Sequence, residues 1–197
     1  MGMMVYTWFV YRKNQKWAKI LGLISIVLAV CTHWYTGVVM QLNPGRDLNH
    51  TAMAALIFLT GAFVSGVGFM IFMLYMRNLI VPEEKKYDMD LTIELGRLMG
   101  YGIAFDFFLI FSEFLQMRYG TAEEILVLDR VLLGVFIWPF FWGQILIGLA
   151  IPLIIVFSPL GKKAWVVALI AGFLTFEGTW GMRVWWVLGG QFLQSFY

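Results

Sequence analysis

The chain of 197 residues is poor in charge and nearly without cysteine: 13% of it is Asp, Glu, Lys or Arg, and Cys31 is its single thiol. A water-soluble domain carries about 25% charged residues. With 61% hydrophobic residues and a mean hydropathy of +0.80, this composition describes an integral membrane protein. One cysteine excludes an internal disulfide, a four-thiolate iron–sulfur cluster and a structural zinc site within the chain. Any redox metal the protein serves is therefore expected in another subunit. Histidine is almost as scarce, with only His33 and His50. Bis-histidine haem needs two facing imidazoles, and His50 falls in or beside a connection, so a haem ligand is discounted. A net charge of +2, from 14 Lys+Arg against 12 Asp+Glu with no basic patch, gives no case for nucleic acid. No internal repeat is visible, and no linker is long enough to separate two domains. No small-residue cleavage site follows the first cations, as a signal peptide would require.

Five apolar runs fill most of the sequence, at about 17–42, 52–76, 91–117, 131–157 and 164–190. Each is long enough for a bilayer crossing, which takes roughly 20 apolar residues. The expected fold is all-α, a bundle of about five transmembrane helices over 17–197, preceded by an interfacial segment at 1–16. That segment mixes Tyr6, Trp8, Phe9 and Tyr11 with Arg12, Lys13 and Lys16. The connections are short: Asn43 to Asp47, Pro82 to Lys86, Gly120 to Arg130 and Ser158 to Lys163. Asp90 and Asp129 stand where helix N-caps are expected. With the N-terminus cytoplasmic, Arg12, Lys13, Lys16, Lys19, Arg77, Lys85, Lys86, Arg97, Lys162 and Lys163 all fall on that side. The positive-inside rule then predicts the N-terminus inside and the C-terminus outside.

Ionisable groups inside a membrane are costly unless paired or hydrated, so each is a candidate for function. His33 sits in the outer half of the first span, within Cys31-Thr32-His33-Trp34-Tyr35-Thr36-Gly37. An imidazole there can hydrogen-bond a quinone carbonyl and exchange a proton with a quinol; it can equally bond a neighbouring helix. Trp34 and Tyr35 can line a pocket for a flat ring or serve in an interfacial aromatic belt. Asp106 and Glu113, seven residues apart, share one helix face. Two carboxylates on one buried stripe cannot both carry charge cheaply, and a shared proton is what a relay requires. The alternatives are hydration of Glu113 at the outer interface and a cation on another helix pairing with Asp106. Glu94 and Arg97, three apart, read as a local ion pair. Glu177 and Arg183 lie on the last span, where the guanidinium can snorkel outward or reach a carboxylate or quinone oxygen. Gly61, Ser65, Gly66 and Gly68 form a small-residue pattern for close helix packing.

Three blocks in order carry a family resemblance. The first runs from His33-Trp34-Tyr35-Thr36-Gly37 through Pro44-Gly45-Arg46 and His50-Thr51-Ala52-Met53 to Phe58-Leu59-Thr60-Gly61-Ala62-Phe63-Val64-Ser65-Gly66. The second is Phe111-Ser112-Glu113-Phe114-Leu115 with Tyr119-Gly120, and the third is Gly181-Met182-Arg183-Val184 with Gly189-Gly190-Gln191. Together they resemble the NrfD/PsrC family of quinone-interacting membrane subunits, in particular the HybB-type hydrogenase subunits and the large membrane subunits of alternative complex III.

The resemblance implies a prokaryotic cell-membrane anchor without haem or cluster, passing electrons between membrane quinone and an iron–sulfur partner on the outer face. It implies quinone binding at His33; the reading of the residues themselves adds Trp34, Tyr35 and Arg183 beside the quinone and protons moving through Asp106, Glu113 and Glu177. Two departures stand out: no aspartate follows His33 by two turns within Thr36 to Met40, and Met182 stands where relatives commonly have Glu. The proton acceptor then falls to Asp106, Glu113 or a partner chain. Typical members have eight to ten spans, so other membrane subunits are expected to supply the missing helices. Two competing functions remain: an ion or small-solute transporter using the same carboxylates, and a purely structural anchor.

Overall fold

A computed structural model of the chain describes residues 2–42, 51 and 53–192. The connection after the first span, with Pro44, Gly45, Arg46, Asp47 and His50, lies outside the described residues, as does Ala52.

All described secondary structure is helical, and five helices are long and apolar enough to cross a membrane. α1 (Gly2–Tyr11) precedes the first span, α2 (Gln15–Gln41). Between them Lys13 takes a left-handed turn, with φ 55°, and sends α2 back along α1. Tyr6 then lies against Gly22, and the rings of Phe9 and Trp17 come within 6.1 Å. The 1–16 stretch is thus mostly a helix laid against α2. α3 (Met53–Ile80) and α4 (Met89–Arg118) follow. The cap expected at Asp90 falls instead on Asp88, whose carboxylate accepts the Asp90 N–H at 3.0 Å.

α5 (Ala122–Leu133) occupies most of what reads in sequence as a connection. Its start is fixed by a capping box: Thr121 accepts the Glu124 N–H, and Glu124 reaches back to the Thr121 N–H at 2.7 Å. That reciprocal pair satisfies two otherwise unbonded amides, so the helix begins upstream and Asp129 sits inside it rather than at its cap. The apolar run expected over 131–157 is divided as a result. Gly134 leaves the helix in an extended conformation, and α6 (Trp138–Phe157) starts afresh with Pro139 in its first turn, where the missing N–H costs nothing.

Over Trp138–Ala150 α6 winds in wide turns bonded five residues back, with the Ile151 N–H reaching Leu146. The wide winding meets Pro152, which has no N–H to continue the regular ladder. α7 runs from Ala164 through a second wide stretch, Val167–Gly172, to Phe192.

α3, α4, α6 and α7 form the bundle, and α2 leans on α3 from outside with little of itself buried. The core combines Ile57, Val64 and Ile71 of α3 with Met99 and Ile103 of α4 and Val167, Ala168, Ala171 and Trp185 of α7. Lipid is as apolar as these side chains, so association rests on close packing rather than on a hydrophobic drive. Glycines permit it. A Cβ on Gly148 or Gly178 would overlap the other's Cα, and one on Gly68 would come 2.9 Å from the Gly172 carbonyl oxygen. Of the small residues read from sequence on α3, Gly61 and Gly68 face packed neighbours while Gly66 opens on space.

Candidate functional site

His33 lies on the side of α2 that faces α3. One turn back, the Ala29 carbonyl oxygen stands 2.9 Å from its Nδ1. A carbonyl can only accept, so Nδ1 carries the hydrogen and Nε2 keeps a free lone pair. The histidine thus bonds its own helix rather than a neighbour. It lines a groove of about 230 Å³ with Ile26, Ala29 and Val30 of α2 and Leu59, Ala62 and Phe63 of α3. Apart from the imidazole, that wall is apolar. Trp34 and Tyr35 are 44% and 67% exposed and do not line the groove, because steps of one and two residues carry a side chain around the helix by about 100° and 200°.

Asp106 and Glu113 lie on one buried face of α4, against α3. Asp106 is 2% exposed and 2.6 Å from Thr60 Oγ1. Glu113 is 1% exposed, so it is not hydrated at the interface; its Oε2 accepts from Thr51 Oγ1 at 2.7 Å. Asp106 therefore has a hydroxyl partner on α3 rather than a cation. Thr60 Oγ1 also lies 3.0 Å from the Leu56 carbonyl and 3.1 Å from that of Ile57. One hydroxyl proton serves one of these three acceptors at a time. It either goes to Asp106 or turns to the backbone while a protonated Asp106 donates to Oγ1. Glu113 Oε1 has no partner among the described residues.

Beyond Glu113 an aromatic layer crosses the bundle. Phe114 stacks on Phe140 at 4.7 Å, Phe140 meets Trp185 edge-on at 4.9 Å, and Trp185 contacts Trp186 at 4.8 Å. Gln144 is buried inside this layer and accepts from Trp185 Nε1 at 2.6 Å, while its own Nε2 and the Trp186 Nε1 find no partner among the described residues.

The remaining expected residues sit elsewhere. Glu177 and Arg183 are both exposed on α7, and neither forms an ion pair among the described residues. Arg183 lines a separate crevice of about 90 Å³ with Ser65, Phe176, Thr179 and Trp180. Glu94 and Arg97 are exposed, and no ion pair joins them, contrary to the local pair expected from their spacing. The structure thus brings His33 to the groove and sets Asp106 and Glu113 on one face of α4, beside Thr60 and Thr51. It leaves Glu177 and Arg183 apart from both. Thr51, Thr60, Gln144 and Trp185 are polar partners that the sequence reading did not single out. A hydroxyl inside an apolar run was the available signal for Thr60.

The family description "Polysulphide reductase, NrfD" matches residues 3–194. The chain belongs to the NrfD family. Among curated relatives, it is 33% identical over 159 residues to a selenate reductase subunit of Mesobacillus selenatarsenatis, covering 77% of this chain and 35% of that protein. It is 24% identical over 163 residues to the Hdr-like menaquinol oxidoreductase integral membrane subunit of Archaeoglobus fulgidus, covering 79% of this chain and 39% of that one. The matched region thus spans little more than a third of each relative. No solved structure matches the chain significantly. Among the described residues of this NrfD chain, no group of three or more His, Cys, Asp or Glu could hold a metal ion.

Proposed function

We propose that the chain is a quinone-binding membrane subunit of a multi-subunit respiratory oxidoreductase, exchanging electrons with an iron–sulfur partner on the outer face. The observation that carries this is His33, whose Nδ1 is engaged by Ala29 and whose Nε2 is left as an acceptor beside an apolar groove. Two relatives, one named as part of a selenate reductase and the other as a menaquinol oxidoreductase membrane subunit, support it.

The groove, at about 230 Å³, falls just below the roughly 300 Å³ at which pockets for drug-sized ligands begin. That suits one substituted ring, with an apolar tail left to the lipid. A quinol supplies two electrons and two protons on oxidation. His33 Nε2 accepts a hydroxyl proton from it, and in the reducing direction the imidazolium returns one. The Nδ1–H bond to Ala29 keeps the ring from turning and stabilises the imidazolium that forms. The electrons leave to the iron–sulfur partner. Asp106 with Thr60, and Glu113 with Thr51, move protons along the α3–α4 seam. Thr60 follows directly on Leu59 of the groove wall, so a single helix joins both halves of the site.

The test uses the purified complex carrying His33→Ala. Quinol-dependent turnover should fall by roughly a hundredfold or more, the usual contribution of a general acid or base. Activity with an artificial electron donor and subunit composition should stay unchanged. Undiminished quinol turnover would overturn the assignment.

A further inference from the structure

We propose that the outward face of α7 around Glu177 is an intramembrane docking surface for a transmembrane helix of a different polypeptide, one presenting a cationic side chain at Glu177's depth. This goes beyond the quinone reading and does not depend on it.

Depth carries the argument. Glu177 is thirteen residues from Ala164 and fifteen from Phe192, hence about 20 Å from either end of α7 at 1.5 Å per residue. In a hydrocarbon layer about 30 Å thick, that is close to the midplane. A glutamate is too short to snorkel from there, unlike Lys or Arg near a helix end. Yet Glu177 is exposed, and no hydrogen bond or ion pair reaches it among the described residues. The neighbouring Gly178 is locked against Gly148, which fixes the rotation of α7 and prevents the carboxylate from turning inward. An ionisable side chain at mid-membrane normally faces protein or a water-filled cavity, with a partner. Among the described residues of this bundle there is none. Phe173, Phe176 and Trp180 surround Glu177 with exposed aromatic surface that a helix would cover.

A second copy does not supply the missing charge. Membrane copies related by a two-fold axis insert in the same orientation, so each residue meets the other subunit at its own depth. Glu177 would then face another Glu177, while Arg183 lies six residues, about 9 Å, further along. Both curated relatives are named as subunits, one of a selenate reductase and one of a menaquinol oxidoreductase, a setting in which a second polypeptide can supply that helix.

The experiment places p-benzoylphenylalanine at Phe173 or Trp180 in the complete complex in its native membrane, with Phe108 and Ile154, exposed on α4 and α6, as controls. Ultraviolet light should join positions 173 and 180, and neither control, to a transmembrane segment of another polypeptide that contains Lys, Arg or His. Glu177→Lys should lower that adduct at least tenfold without changing the amount of this chain in the membrane. Adducts with lipid alone, adducts with a second copy, or an adduct indifferent to Glu177→Lys would each overturn the proposal.

Discussion

Replacing Thr51 by Val removes one hydroxyl that makes two bonds: it accepts the Met53 N–H at 3.0 Å, a loss that a double-mutant cycle cancels, and it gives Glu113 the only hydrogen bond this buried carboxyl accepts among the described residues. Its Oε1 is already unpartnered there, so the variant leaves both oxygens bare. Leaving a buried polar group unsatisfied costs about 1–3 kcal/mol in soluble proteins. Interhelical bonds between membrane helices average only ~0.6 kcal/mol and reach ~1.7, because the reference state in lipid also finds partners. Thr51 and Glu113 are each almost fully buried, so the upper part of that membrane range applies, about 1–1.5 kcal/mol. The clean measurement is a double-mutant cycle of Thr51→Val with Glu113→Leu, read from detergent-driven unfolding. The same cycle with Thr60→Val and Asp106→Leu should give a similar coupling, since that bond is 2.6 Å long. The crossed cycle, Thr51→Val with Asp106→Leu, should be additive within about 0.5 kcal/mol. Its members belong to different pairs, and the two carboxyls are seven residues, about 10 Å, apart along α4. A coupling between Thr51 and Glu113 indistinguishable from that of the crossed cycle would refute the paired arrangement.

Two further outcomes follow from packing. Gly148→Ala or Gly178→Ala should destabilise the bundle by about 1–3 kcal/mol, as overpacking does, because the new methyl meets backbone; Gly66→Ala, with nothing within 4 Å of its Cβ position, should be nearly neutral. Detergent unfolding distinguishes these, and equal effects would contradict the close crossing. Gln144→Leu alone orphans the Trp185 N–H and should cost about 1–2 kcal/mol, whereas Gln144→Leu with Trp185→Phe removes both partners and the stray Nε2, and should recover most of that loss. A double variant no better than the single one would show that the bond does not matter.

The helices were legible wherever apolar length settled the matter. α2, α3, α4 and α7 fall close to the runs read from hydropathy, because a bilayer leaves a long apolar segment few alternatives to a helix. The stretch from Gly120 to Trp138 was not legible that way. A Thr-x-x-Glu box begins α5 inside a polar segment, and Gly134 ends it inside an apolar one, so composition and helix boundaries disagree there. Local capping chemistry decides the boundary. A hydropathy window averages across such signals.

Among the site residues, spacing placed Asp106 and Glu113 on one face because heptad separation is a property of a single helix. Their partners were hidden because Thr51 and Thr60 belong to another part of the chain, whose rotation and depth come from packing. The register of α4 against α3, and against Thr51 two residues before α3 begins, sets both threonine–carboxyl pairs, with α3 and α4 running in opposite directions. A slip of one residue between the helices would break both bonds together. The same helix presents Leu59, Ala62 and Phe63 to the groove beside His33. A small rotation of α3 would therefore change the groove and the carboxyl pairs in one motion. This gives α3, which carries no Asp, Glu, Lys, Arg or His between Met53 and Tyr75, the position from which a change at the imidazole could reach the buried acids.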